Sequence, residues 1–335
     1  MTCQSNQSNR RGGDSIGFVP LGAPPWLVEL IACPLDREPL EQGPEGYRCP
    51  RCERHYPVSE GVADLLPSAP EDDADAHWVA EEMQWWDGTA GRYEQEPLRP
   101  DAGIRGRSRE RNLFRHVRDR VGPRPTVIEV GAGSSRTVAG LWPPGPDGPR
   151  YVAGDVSRAW LLSGARLRGN SDAAFAVRCD ACRWPFRPDG ADVVLVLGLL
   201  HHVPDWRTTL TRACESVRPG GYLLLHEVIR KPRILAARRS KGVTDSWTSP
   251  HEASVPEGDL FTHLEGLGTV VRWRREGTPL RFAVAHYGRL HTRLARSPSL
   301  TVVLEGADQI FGHVLGRIRP SLGFNEVMCV WRREA

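Results

Sequence analysis

From Pro125 onward the chain alternates two hydrophobic periods. Short, nearly continuous apolar runs, "TVIEV", "YVAGDV", "AAFAVRC", "ADVVLVLGLL" and "GYLLLHEV", are separated by amphipathic stretches such as "RAWLLSGARLR" and "WRTTLTRACESV". Unbroken apolar runs of strand length suit strands buried on both faces, and the helical period between them supplies covering helices. The pattern therefore predicts an α/β fold built on a parallel sheet. Two more strand-like runs, "GTVVRWRRE" and "NEVMCVWRRE", stand near the end. Between them Val303, Leu304, Ile310, Phe311, Val314, Leu315 and Ile318 recur at helical spacing, which predicts a helical insertion over about 283–321.

Upstream the pattern changes. Residues 1–24 are rich in Ser, Asn, Gly and Pro and read as a disordered tail. Residues 25–67 form a small module, from "WLVELIACPLDREPL" to "YPVSEGVADLLP", too short to bury a self-sufficient core without a staple or a docking surface. Over 68–122 a Pro-rich acidic linker leads into two predicted helices, "HWVAEEMQWWDGTAGRYEQ" and "SRERNLFRHVRDRV". The first carries Trp85, Trp86 and Tyr93, whose faces attract a cation by about 0.5–2 kcal/mol, although plain core packing accounts for at least one tryptophan. The large domain then takes 123–335.

Composition adds little to the fold but excludes some functions. With 335 residues, 40% hydrophobic and 25% charged, the chain is ordinary for a globular protein. No apolar run approaches the roughly 18 residues of a membrane span, and the polar start lacks the core of a signal peptide, so a cytoplasmic location and no membrane partner are expected. Eight scattered cysteines then suggest metal or free thiols rather than disulfides. The net charge of +3 conceals a basic C-terminal third: from Ile229 onward there are 17 Lys/Arg against 10 Asp/Glu, including "RKPRILAARRSK". Such a run is usually a solvated face, yet it is one reason to keep RNA as a second acceptor class.

Two motifs carry chemistry. In "CPLDREPLEQGPEGYRCPRC" the second knuckle is Cys49-x2-Cys52, but the first is Cys33-x2-Asp36. A carboxylate oxygen is an acceptable zinc ligand, so three thiolates and Asp36 complete a tetrahedron; His55 is the rival fourth donor, and a ribbon without metal, with Asp36 paired to an arginine, is the alternative. The other motif is "EVGAGSS", a glycine turn after the first strand of the sheet. In open parallel sheets ligands bind beyond the carboxyl ends of the strands. Gly131 and Gly133 let the backbone approach a ligand, Asp155 after the next strand suits both hydroxyls of a ribose, and Asp180 after the third suits an adenine amino group. "CDAC" at Cys179–Cys182 straddles that last position with no second pair nearby, so its metal-like spacing is read as coincidence.

Taken in order, "VIEVGAGSS", "GDVSRAWLLSGA", "CDACRWPFRPDGADVVLVLGLLHHVPDW" and "RACESVRPGGYLLLHEV" resemble the class I S-adenosylmethionine-dependent methyltransferases, and among them the branch with the ubiquinone, menaquinone and many natural-product methyltransferases. The resemblance covers about residue 80 to the end. It implies a Rossmann-like sheet and S-adenosyl-L-methionine as cofactor. Glu129, Gly131, Ala132 and Gly133 would hold its methionine part, Asp155 with Val156 its ribose, Asp180 with Ala181 its adenine, and Leu199 would line the floor. The family's third loop glycine is Ser135 here, a residue suited to capping the next helix. The missing third glycine of the dinucleotide fingerprint argues against an NAD enzyme. Residues 25–67 resemble a second family, the zinc ribbons of methyltransferase activator subunits and of some ribosomal RNA methyltransferases, which implies structural zinc at Cys33, Asp36, Cys49 and Cys52.

For the transfer itself, His201 and His202 stand where the fourth strand ends, and either suits a general base; a bracing role for one ring is the rival reading. His226 and Glu227 are weaker candidates of the same kind. The favoured function is methylation of a small, natural-product-like acceptor. RNA methylation and a non-catalytic, partner-recruiting protein are the alternatives.

Overall fold

A computed structural model of the chain describes residues 24–67, 74–95, 106–135, 137–138, 142, 148–164, 173–229, 249–278, 297–318 and 323–335, the side chains of 74–76, 91–95 and 298 excepted. The predicted tail, the basic run 230–241 and the first part of the predicted insertion lie outside them.

After a short helix, α1 (Pro25–Val28), the N-terminal module is a meander of β1 (Glu41–Gly43), β2 (Gly46–Arg48), β3 (His55–Ser59) and β4 (Val62–Asp64). Helix α2 (Ala74–Gln95) follows. Next comes π-helical backbone over Glu110–Phe114 that runs on into α3 (Arg115–Arg118), where the sequence predicts one regular helix. The large domain adds β5 (Thr126–Val130), β6 (Arg150–Asp155), α4 (Arg158–Ser163), β7 (Ala174–Arg178), β8 (Ala191–Leu197), α5 (Trp206–Ser216) and β9 (Val217–Val228). It ends with α6 (Glu257–Glu265), β10 (Thr269–Glu276), α7 (Pro298–Ile318) and β11 (Glu326–Arg332).

The strand order is β1-β2-β3-β4-β7-β6-β5-β8-β9-β11-β10. Within it, β7-β6-β5-β8-β9 is the predicted parallel sheet, and β11 inserts antiparallel between β9 and β10. Alternate residues of each strand enter two cores. Ile128, Val130, Val194 and Val196 face one, Val127, Val193 and Leu195 the other, as period-2 alternation requires. Leu113, Phe114 and Val117 cover the second face. Leu210 and Ala213 of α5 and Leu260 and Leu264 of α6 cover the first.

The small module is continuous with this sheet. β4 pairs in parallel with β7, Val62 opposite Ala176 and Asp64 opposite Arg178, and β3 pairs antiparallel with β4. Leu27, Ile31, Tyr47, Tyr56 and Leu65 share one core with Phe175, Trp184 and Phe186. A module too small for its own core thus borrows the face of the large sheet and covers what would otherwise be an open edge.

Candidate active site and thiol knuckle

The strand ends deliver their groups to one place. Gly131 and Gly133 follow β5 with φ of 73° and 51°, the left-handed region that favours glycine. A Cβ on Gly131 would meet Leu199 Cδ1 at 3.1 Å, so the turn lies close under the loop after β8. Asp155 Oδ2 accepts from Gly133 N at 2.8 Å and Oδ1 from Ser157 N at 2.9 Å, which ties the glycine turn to the end of β6. Burial pushes the Asp155 carboxyl up to about 6, against those two amides, with Asp87 adding repulsion. Ser135, at the end of the turn, is buried and also holds a left-handed backbone, φ 58°.

Around these groups opens a cavity of about 250 Å³. Gly131 and Gly133 line it from β5, Asp155 and Val156 from β6, Asp180 and Ala181 from β7, and Leu199 and His202 from β8. Glu129, Ala132 and His201 are buried beside it but do not line it. Glu129 Oε2 accepts from Tyr151 Oη at 2.6 Å, and burial raises its carboxyl to about 7 despite that bond and the nearby Arg109. The positive-φ turn that a side chain would fill, the buried acid at its edge and the apolar floor fit a nucleoside with a charged tail.

Helix α2 forms the roof. Trp78, Glu82 and Trp86, one face of the helix at i, i+4 and i+8, line the cavity. Trp160 Nε1 donates to Trp86 O at 2.9 Å, and Trp78 Nε1 donates to His202 O at 2.9 Å, so the roof is pinned at both sides. Trp85 packs edge-on to Trp86 at 4.6 Å between centroids, and the Tyr93 side chain lies outside the described set. Glu82 and Trp78 were not singled out from sequence, although an acid at the centre of an aromatic helix face was visible there. Ser249 and Glu252, in the loop before α6, gave no such signal.

The two histidines differ. His201 Nδ1 is bound to Glu227 Oε1, whose other oxygen accepts from Leu200 N at 2.7 Å. His202 Nδ1 meets Ser249 Oγ at 2.9 Å and Glu82 Oε2 at 3.3 Å. Burial and then the neighbouring His201 hold the His202 ring below the usual imidazole range. Burial would raise Glu82, but the contacts with His202 and Ser249 outweigh it and keep it ionised. His226 lies away from the cavity, buried between Arg109 Nε at 3.0 Å and Glu326 Oε2 at 3.0 Å.

In the small module Cys33 Sγ lies 3.7 Å from Cys52 Sγ, and Cys49 Sγ 3.3 Å from Asp36 Oδ2. The ligand atoms of Cys33, Asp36, Cys49 and Cys52 all fall within 4.8 Å of one another. Tetrahedral zinc with Zn–S of ~2.3 Å and Zn–O of ~2.1 Å needs S···S of ~3.8 Å and S···O of ~3.6 Å, so the donors fit the ion. His55 is exposed on β3 and not part of that group. Cys179 lines the cavity, and no metal-type group among the described residues includes it or Cys182.

Among known proteins, residues 128–225 match the family described as a methyltransferase domain. A demethylmenaquinone methyltransferase of Clavibacter sepedonicus is 29% identical over 112 residues, 33% of this chain and 44% of that protein. The fumosorinone synthetase of Cordyceps fumosorosea is 27% identical over 137 residues, 39% of this chain and 3% of that protein. The chain therefore spans less than half the length of either relative. Among solved structures, a Burkholderia thailandensis 1,6-didemethyltoxoflavin-N1-methyltransferase is 17% identical with a TM-score of 0.46, over 81% of this chain and 94% of that one. Among the described residues no helix is long and apolar enough to cross a membrane. Residues 128–225 thus match a methyltransferase domain, and they lie in the parallel β7-β6-β5-β8-β9 part of a Rossmann-like sheet, which is how far the likeness to S-adenosylmethionine-dependent methyltransferases extends.

Proposed function

We propose that the protein transfers a methyl group from S-adenosylmethionine to a small-molecule acceptor. The observation that carries this reading is the convergence of the glycine turn, Asp155 and Asp180 on one cavity roofed by α2. The cofactor supplies an electrophilic methyl on a sulfonium. Gly131 and Gly133 admit its charged tail past the backbone, with Glu129 and Ala132 shaping the turn from behind. Asp155 accepts from the ribose hydroxyls beside Val156, Asp180 and Ala181 hold the adenine, and Leu199 forms the floor. Trp86 and Trp160 present aromatic walls suited to a sulfonium. His202 faces the acceptor, while His201, tied to Glu227, braces the loop. Incubation with labelled S-adenosylmethionine and small-molecule acceptor mixtures tests the reading: label in a low-molecular-weight product supports it. Label in RNA, with salt-sensitive RNA binding, would favour the other acceptor class, since phosphate contacts release counterions. Cofactor binding without turnover of any acceptor would favour a non-catalytic role.

The thiol knuckle is proposed as a structural zinc site of Cys33, Asp36, Cys49 and Cys52. Zinc there supplies folding energy to a small module and takes no part in transfer, because four protein donors leave no open position. Elemental analysis of protein purified without added metal should find one zinc per chain, and Asp36→Ala should weaken retention more than His55→Ala. Well under one zinc defeats the metal, and the reverse order makes His55 the donor.

A further inference from the structure

Glu82, on the roof helix, lines the cavity with a carboxylate anchored at both oxygens. Oε1 accepts from His251 N at 3.1 Å and Oε2 from Trp86 Nε1 at 3.1 Å. So held, Oε2 stands 3.3 Å from His202 Nδ1, and Ser249 Oγ stands 2.9 Å from the same nitrogen. The His202 backbone is fixed as well, because its carbonyl accepts from Trp78 Nε1 at 2.9 Å. Three separate segments, α2, the turn after β8 and the loop before α6, thus meet at one edge of one imidazole.

The protons available to this cluster fix the tautomer. Burial would raise Glu82, but the contacts with His202 and Ser249 keep it ionised, so it can only accept. Ser249 gives its single hydroxyl proton to Glu82 and therefore meets Nδ1 as an acceptor. Facing two acceptors, Nδ1 must carry the ring hydrogen. Burial and then His201 hold the ring below the usual imidazole range, so at neutral pH it carries one proton and Nε2 keeps its lone pair. Nε2 is neither hydrogen-bonded to a described residue nor sealed from solvent, so it opens on the cavity that the ring lines. Glu252 also faces the ring, through its charge and not through a hydrogen bond.

We propose that Glu82 is a positioning residue of the transfer: it holds His202 in the Nδ1–H form, so that Nε2 is the atom that takes the acceptor's proton. This rests on the methyltransferase reading for the reaction but not for the tautomer. As the acceptor's O–H or N–H bond gives its proton to Nε2, an electron pair on that oxygen or nitrogen forms the bond to the methyl carbon. The methyl's C–S bond breaks, and its electron pair stays on sulfur to give the thioether. The imidazolium left behind is steadied by the Glu82 carboxylate until it passes its proton to water.

The test uses the full chain with ¹⁵N-labelled histidine. Nitrogen magnetic resonance at neutral pH, with His202 assigned by the signals lost in His202→Gln, should show a protonated Nδ1 and a bare Nε2. In Glu82→Gln the ring should titrate at lower pH, since the carboxylate that raises it is gone. Label transfer from S-adenosylmethionine to the small-molecule acceptor mixtures should fall at least about tenfold in that variant. S-adenosylhomocysteine binding, measured by calorimetry on the same samples, should be retained and reports that the variant is folded. A bare Nδ1 in the parent protein overturns the proposal whether or not Glu82→Gln folds, and so does unchanged transfer in a folded Glu82→Gln. Bound S-adenosylhomocysteine with no transfer by the parent protein would overturn the proposed function instead, and the tautomer would still decide whether Glu82 positions the ring.

Discussion

The thiol knuckle and the cavity are both polar sites in an apolar molecule, and they are built in opposite ways. The knuckle draws its donors from 20 consecutive residues, Cys33 to Cys52, and turns them inward on one another. The cavity draws on four strand ends and a roof helix, and leaves its groups facing a space of about 250 Å³. A closed cluster can only hold the chain together, whereas an open one can hold a ligand. The two are nevertheless joined mechanically, because β4, which ends the small module, is hydrogen-bonded to β7, whose end supplies Asp180.

The largest effect that would sharpen this contrast is removal of the zinc proposed for the knuckle. Apparent zinc-binding energies in small modules are on the order of 10 kcal/mol. Cys49→Ser or strong chelation should therefore strip hydrogen-exchange protection from β2 and β3 while β5 and β8 keep theirs. Equal loss across all four strands would show that the two regions unfold as one unit, and no loss would remove the metal's structural role.

Next in size is Gly131→Ala. A left-handed alanine costs about 1–2 kcal/mol, and the added Cβ would press on Leu199 at 3.1 Å. Binding of S-adenosylhomocysteine should weaken by about tenfold or more, with the knuckle's zinc content unaltered. A change in zinc content with intact cofactor binding would break the separation of the two sites.

A pH titration probes the cavity alone. The raised carboxyl of Asp155, about 6, means that the empty site takes up a proton below that pH. A ribose hydroxyl donates to the ionised form, so ligand and proton compete. Affinity should be full well above pH 6 and fall as pH drops through it, by up to about tenfold per unit. A flat profile between pH 7 and about 5 would mean that Asp155 does not meet the ligand as a carboxylate. The smallest effect is expected from Ser135→Gly, which relieves a left-handed serine and should raise stability by no more than about 1 kcal/mol in thermal unfolding. A fall in stability would show that the buried hydroxyl outweighs the strain.

The parallel core was legible because "VIEV" and "VVLVL" are short, β-branched apolar runs flanked by glycine, the mark of strands buried on both faces, and glycine and aspartate at strand ends have fixed positions in such a sheet. Boundaries were less so. β9 begins at Val217, ahead of the "GYLLLHEV" run, because Val217 already pairs with Ala191 of β8, and Arg218 and Pro219 fall in the irregularity before pairing resumes at Tyr222 opposite Val193. The π-helical backbone at Glu110–Phe114 was hidden for a similar reason: Asn112 is drawn inward to accept from Arg272 Nη2 at 2.8 Å, a contact 160 residues away. Pairing of β4 with β7 was also out of reach, since edge recruitment depends on shape rather than on any local period. At the site, the groups on strand ends could be named from sequence. Glu252 and Ser249 could not, because only the folded loop brings them to the histidines.

Calorimetry of the full chain with S-adenosylhomocysteine tests the central claim most directly, that the cavity at the strand ends is a cofactor site. The account predicts one site per chain and, in Asp155→Ala, affinity lower by about 100-fold, the worth of two hydrogen bonds to a charged group. No binding to the parent protein, or equal binding to the variant, would contradict it.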